Sequence, residues 1–255
     1  MKTKPGDGER RAVGGFRPQY LVGASLILKA LEQGDLEWIR VADPTAGRVD
    51  DIQIATVGCI DAYQVKWAQY GGTLTLRDLI HSTNQEPALI HQLSQGWKEL
   101  KSKHPKYRVV VHLTTNRIPS TSASGMPHTK NEPKPYHLSA FIEQVWLPTL
   151  KRGGVVAKDV WVPVWKLLQD AAELTDEEFA TFVHDCRFDF HFQLPNESTE
   201  IVAIHNLLFA TAASPERVIQ LDRNELLARL GWTQRYSFHN LHEFPAPQYL
   251  YNQWC

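Results

Sequence analysis

The residues best suited to chemistry lie in one stretch, VDDIQIATVGCIDAYQVKW (Val49–Trp67). It sets Asp50 and Asp51 at one end and Gln64 and Lys66 at the other, with Gly58 and Cys59 between. Apolar and polar residues alternate on both sides of that glycine, as in two half-buried strands joined by a tight turn. A two-residue Gly-Cys turn, glycine first, suits a type II′ hairpin. It predicts Ile52 opposite Val65 and Ile54 opposite Tyr63 on an apolar face, with Asp51 opposite Lys66 and Gln53 opposite Gln64 on the other. Asp50 falls on the apolar side or in the bend before it, so Asp51 is the better placed acid. Phosphodiester hydrolysis has a use for such a set. Negative charge develops on the attacked phosphate and the leaving oxygen, and a hard cation such as Mg²⁺ or Mn²⁺ offsets it. The Asp51 carboxylate and the Gln64 carbonyl are oxygen ligands for that cation, the amide being the weaker. Lys66, two residues along the strand from Gln64, is suited to orient the attacking water and neutralise the transition state. The plainer reading is an exposed cross-strand ion pair of Asp51 and Lys66, worth about 0.2–1 kcal/mol. Spacing alone leaves both readings open.

The elements that must position these residues are legible as patterns. PQYLVGASLILKALEQG predicts a helix with Pro18 first, Leu21, Ala24, Leu28 and Leu31 on one stripe, and Gly34 as its stop. LEWIRVA follows as a strand and DPTAGR as a turn before the hairpin. Helices are predicted from Thr75 to His81 and from Pro87 to Lys103, the second with Leu89, Leu93, Trp97 and Leu100 at helical spacing. YRVVVHLTTN is rich in β-branched residues and predicts a strand covered on both faces. RIPSTSASGMPHTKNEPKPYH lacks periodicity and reads as a long surface loop carrying Lys130 and Lys134. Beyond it the pattern is mainly helical, with a capping box from Thr175 to Glu178 and a helix start at Ser214 and Pro215. A composition shift near residue 150 divides an α/β unit, 1–150, from a mainly helical extension, 151–255.

Composition narrows the class. Of 255 residues, 43% are hydrophobic and 22% charged, and the net charge is −1, which describes an ordinary globular protein without a global basic field. Cys59, Cys186 and Cys255 form no C-x-x-C pair, which argues against a disulfide scaffold or a structural zinc site and for a reducing, cytoplasmic setting. No apolar run approaches the roughly 18–20 residues of a membrane span. The opening MKTKPGDGERRAVGG has no apolar core, so it reads as an arm rather than a signal peptide. Neither a Walker-type phosphate loop nor a G-x-S-x-G elbow is present. His184, Cys186 and His191, and the pair His239 and His242, lack zinc-site spacing. His112 reads as a hydrogen-bonded core residue, and Trp146, Trp161 and Trp165 as core. Lys98, Lys101, Lys103 and Lys106 around Trp97 read as a solvated helix face.

The order Asp51…Gln64-x-Lys66 resembles the PD-(D/E)xK nuclease superfamily, in the variant where glutamine replaces the second acid. More narrowly, GGFRPQYLVGASLILKAL, EWIRVADPTAGRVDDIQI and AYQVKW are similar to the double-stranded DNA endonuclease domain of bacterial antiphage systems. QLSQGWKELKSKHP, VVVHLTTNRIPS, EFATFVHDCRF and ELLARLGW extend the resemblance over most of the chain. Such domains sit at the amino end of STAND-type NTPases or of CD-NTase-associated effectors. The resemblance implies an α/β restriction-endonuclease-like core, a mixed sheet flanked by helices, with a mainly helical extension that links to or docks on an oligomerising NTPase module. It implies an antiphage effector that cleaves double-stranded DNA with Mg²⁺ or Mn²⁺. It further implies that Gln19, on the first helix, faces the site, and offers Glu37 on the preceding strand as a second carboxylate. Cutting both strands needs two sites, so the expected partners are double-stranded DNA, further copies of the chain as a dimer or higher homo-oligomer, and a fused or associated NTPase or sensor, with no membrane. The glutamine in place of an acid weakens metal binding unless other oxygens complete the shell. That departure keeps two alternatives in view: an inactive DNA-binding or assembly module on the same fold, and a nuclease acting on RNA or single strands.

Overall fold

A computed structural model describes residues 7–41, 51–83, 86–122, 136–152, 159–212 and 219–236. In chain order the elements are helix α1 (Asp7–Gln33), strands β1 (Leu36–Val41), β2 (Ile52–Thr56), β3 (Cys59–Val65) and the short β4 (Thr73–Leu74), helices α2 (Leu76–Ile80) and α3 (Leu89–Lys103), and strands β5 (Arg108–Thr114) and β6 (Ile118–Pro119). Helix α4 (Leu138–Phe141) runs through a π turn (Ile142–Trp146) into α5 (Leu147–Arg152). A 3-10 turn (Asp159–Trp161) leads to α6 (Val162–Ala172), α7 (Asp176–Asp185), β7 (Cys186–Asp189), α8 (Thr199–Ala212), β8 (Ile219–Asp222) and α9 (Arg223–Leu230).

Among the described residues, six strands form a mixed sheet in the order β7-β5-β3-β2-β1-β8, flanked by helices, which makes the protein α/β. Strands β8, β1, β2 and β3 are mutually antiparallel neighbours, whereas β3, β5 and β7 run parallel. A parallel neighbour requires a crossover, and α3 supplies it between β3 and β5. The strand period of two sorts side chains to two cores. Ile39, Ile52, Ile54 and Tyr63 pack with Leu21 and Ile27 of α1 and with Ile204 and Leu208 of α8. Ile60, Ala62, Val109, Val111 and Leu113 pack on the other side with Leu93 and Trp97 of α3 and with Phe179 and Phe182 of α7. Strands β7 and β8 come from beyond residue 150 and extend both edges of the sheet, so sheet and cores draw on both sides of the expected boundary.

Three sequence expectations change. Helix α1 begins at Asp7, and Pro18 lies inside it; proline's missing N–H and crowded carbonyl are local losses, and the helix continues through them. The hairpin turns at Val57-Gly58, with Gly58 at φ 75°, the left-handed backbone a type II turn needs at its second central residue. The register is therefore Ile52 opposite Tyr63, Gln53 opposite Ala62 and Ile54 opposite Asp61. That shift of two residues preserves the faces and changes every pair. Ile219 and Gln220, expected in a helix, belong to β8 and pair with β1, while Ser214 and Pro215 lie outside the described residues. The capping box of α7 forms as expected between Thr175 and Glu178. Trp146 and Trp161 are buried, and Trp165 packs against the same core. No helix among the described residues is long and apolar enough to cross a membrane.

Helix α1 approaches the sheet closely at Gly23, where a Cβ would stand 2.6 Å from Ile52 Cδ1 and 3.3 Å from Leu208 Cδ1. Gly23→Val should therefore lower unfolding free energy by about 1–3 kcal/mol through overpacking, measured by urea denaturation. An unchanged midpoint would show that α1 has room to retreat.

Candidate active site

Asp51 sits in the bend that enters β2, half-buried, at the end of the sheet where β3 finishes. Its Oδ1 accepts a hydrogen bond from Gln19 Nε2 at 2.6 Å. Its Oδ2 accepts from Gln64 Nε2 at 2.8 Å and from the Val65 backbone N–H at 2.6 Å. Three N–H donors from two elements thus hold one carboxylate, each a charge-assisted bond. Gln19 is delivered by α1 one turn before the close approach at Gly23, and Gln64 by the penultimate position of β3. Burial, and then the negative charge of Asp51, push the neighbouring Tyr20 phenol above its ordinary range.

Lys66 follows β3 directly. Its backbone N–H donates to Thr114 O at 2.9 Å, carrying the β3–β5 ladder one step past the strand end. Lys66, intermediate in exposure, makes no ion pair among the described residues, so the plainer reading, an Asp51–Lys66 ion pair, is not formed there, and the register expected to set the two opposite each other is not the one observed. The register is the reason: Gln64, not Lys66, comes level with Asp51. Glu37 is not brought to this place. It lies beside Leu36, which pairs with Thr56 at the turn end of the sheet, and it accepts from Tyr107 Oη at 2.7 Å. Asp50 lies outside the described residues, as do Lys130, Lys134, His239 and His242. Two lysines of the basic cluster around Trp97 have internal partners: Lys98 pairs with Glu178 at 2.9 Å, and Lys101 stands 4.4 Å from the Trp97 ring centroid and 3.8 Å from Asp185.

Among the described residues no three His, Cys, Asp or Glu side chains form a metal-binding group. The donor set at Asp51 is one carboxylate and two carboxamides. Which amide atom faces the carboxylate follows from the hydrogen-bond network, and half a turn of the terminal torsion exchanges nitrogen for oxygen. With Gln64 and Gln19 so turned, the three side chains offer only hard oxygen donors, and waters complete the shell that Mg²⁺ prefers. The residues present fit such an ion.

A second polar group was hidden in the sequence. His112 Nδ1 lies 2.9 Å from Asp189 Oδ2 and its Nε2 3.0 Å from Asp61 Oδ1, so one imidazole spans β7, β5 and β3. Thr114 Oγ1 also donates to Asp189 Oδ2, at 3.1 Å, and Tyr63 stacks on the ring at 4.4 Å. Burial alone would depress the His112 pKa; the bonds and charges of Asp189 and Asp61 outweigh it and push it up to about 9. Asp189 is held below the ordinary carboxylate range, its own burial being outweighed by His112 and Thr114. Burial and the Asp61 charge push the Cys59 thiol up to about 11, so it is not a nucleophile near neutral pH. Alternation gave a signal only in part: His112 shares its phase with Arg108 and Thr114, and Asp189 with Arg187, whereas Asp61 shares its phase with Tyr63 and lies opposite Ile54.

No protein-family model matches the chain, and none of the curated proteins compared with it does.

Because the folded pKa of His112 lies above its ordinary value of 6.5, its contribution to stability is full below about pH 6.5 and is lost as pH rises through about 9. His112→Gln should destabilise the protein on the order of 2 kcal/mol at pH 6, by removing charge-assisted bonds. The gap to wild type should shrink by pH 10, as read from denaturation curves across pH. A gap independent of pH would contradict a charged imidazole.

Proposed function

We propose that this chain is a divalent-metal-dependent endonuclease domain acting on double-stranded DNA, the destructive effector of an antiphage defence protein. The observation that carries the reading is the convergence on Asp51: Gln19 from α1 and Gln64 from β3 meet its two oxygens, and Lys66 follows two residues on. An exposed surface ion pair would require no such meeting. The order α1–β1–β2–β3–β4–α2–α3–β5, in which an antiparallel meander is followed by a strand parallel to β3, supports reading the centre of the molecule as a restriction-endonuclease-like core.

Bound Mg²⁺ or Mn²⁺ would supply positive charge against the attacked phosphate. Asp51, its carboxylate held in place by the Val65 N–H, would hold the ion, and Gln64 and Gln19, their amides turned, would offer carbonyl oxygens. Lys66 offsets the charge of the pentavalent transition state and orients the attacking water. Cutting both strands calls for two such sites, hence a dimer or higher assembly, with an NTPase or sensor on the same or a partner polypeptide. The cytoplasm, where invading DNA arrives, is the matching location.

One observation favours a second reading. Asp51 already accepts three N–H donors, an arrangement that an inert assembly or DNA-binding module could keep unchanged. A nicking assay on supercoiled plasmid with Mg²⁺ separates the two, with RNA and single-stranded DNA as parallel substrates. The endonuclease reading expects cleavage of the duplex, and a loss on the order of 10²-fold or more in Lys66→Ala and Asp51→Asn. Wild type and Lys66→Ala behaving alike would overturn it.

A further inference from the structure

Strands β3, β5 and β7 end in line: Val65 is level with Thr114, and Thr114 with Asp189. Past that line each chain must turn, and Lys66 is the first residue beyond β3. Three backbone groups stitch its segment to the end of β5. Lys66 N–H donates to Thr114 O, Ala68 N–H donates to Asn116 Oδ1 at 2.9 Å, and Asn116 Nδ2 returns a bond to Ala68 O at 2.6 Å. The position of Lys66 is therefore inherited from Thr114.

Thr114 is itself held twice by one residue of β7. Its hydroxyl donates to Asp189 Oδ2, and the next N–H along, that of Thr115, donates to Asp189 O at 3.0 Å. The same Oδ2 meets His112 Nδ1, and His112 carries the connection across to Asp61 on β3. The ionisable groups around the ring are Cys59, Asp61 and Tyr63 of β3 and Arg187 and Asp189 of β7. Thr114 is fully buried at the end of β5, where valine would fill the same space without the hydroxyl. A hydroxyl there serves Asp189.

We infer that Asp189, braced by His112 and Asp61, is a positioning residue for Lys66 and acts through Thr114. The inference rests on the reading of Lys66 as the lysine of a phosphodiesterase site; the brace and its hold on the Lys66 backbone do not.

Two variants and two readouts test it. Thr114→Val deletes one hydroxyl at nearly constant volume, and Asp189→Asn removes the charge at constant shape. Hydrogen exchange at the Lys66 amide, referenced to Ile39 and Ile54 amides in the same sample, reads the position directly and needs no activity. We expect exchange at Lys66 to rise about tenfold relative to those references in both variants, and kcat for plasmid cleavage to fall at least about tenfold with KM for DNA little changed. Unchanged relative exchange at Lys66 in Thr114→Val overturns the inference, even if both variants lose stability. So does faster exchange with cleavage at the wild-type rate. A wild type that cleaves nothing, while Lys66 exchange responds as expected, removes the catalytic role and identifies the site reading as the part that failed.

Discussion

The carboxylate of Asp51 is the constraint on which the rest of the site depends. A half-buried negative charge requires compensation, and N–H groups of α1 and β3 supply part of it here. That choice fixes where the helix must sit against the sheet. One turn further along the same helix, Gly23 lets α1 pass close to Ile52 and Leu208. The arrangement at Asp51 leaves the ammonium of Lys66 without an acidic partner among the described residues, which is the electrostatic condition for meeting a phosphate.

Two braces meet at the end of β3 from opposite sides. One runs from α1 through Gln19 to Asp51 and the Gln64–Val65 peptide. The other runs from β7 through Asp189, His112 and Thr114 to Lys66. They share the last residues of one strand, so Gln64 and the backbone on either side of it are set by ladder geometry. The three parallel strands end together, and the carboxyl ends of parallel strands are where α/β sheets ordinarily bind ligands.

Much of this was legible in the sequence because strand alternation is a local property. Ile52, Ile54 and Tyr63 share a face, and Gln64 and Lys66 share a phase, whichever turn is chosen. The turn itself was not legible. Val57-Gly58 and Gly58-Cys59 both place a glycine centrally and both keep the apolar faces, so alternation cannot choose between registers differing by two. Only the register decides whether Asp51 meets Lys66 or Gln64. The Asp61–His112–Asp189 group was hidden for another reason: its members lie far apart in sequence and are joined by parallel pairing, which leaves no short-range signature. Strand β8 was obscured likewise, since its pairing with β1 is long-range.

The central claim is that the Asp51 carboxylate is a cation site whose amide donors turn aside when the ion binds. Anomalous diffraction from a Mn²⁺-soaked crystal tests it most directly. The account predicts a manganese peak bonded to an Asp51 carboxylate oxygen, with Gln64 turned so that Oε1 faces the ion. Density at saturating Mn²⁺ in which Gln19 and Gln64 still donate to Asp51, with no ion against it, would contradict the account.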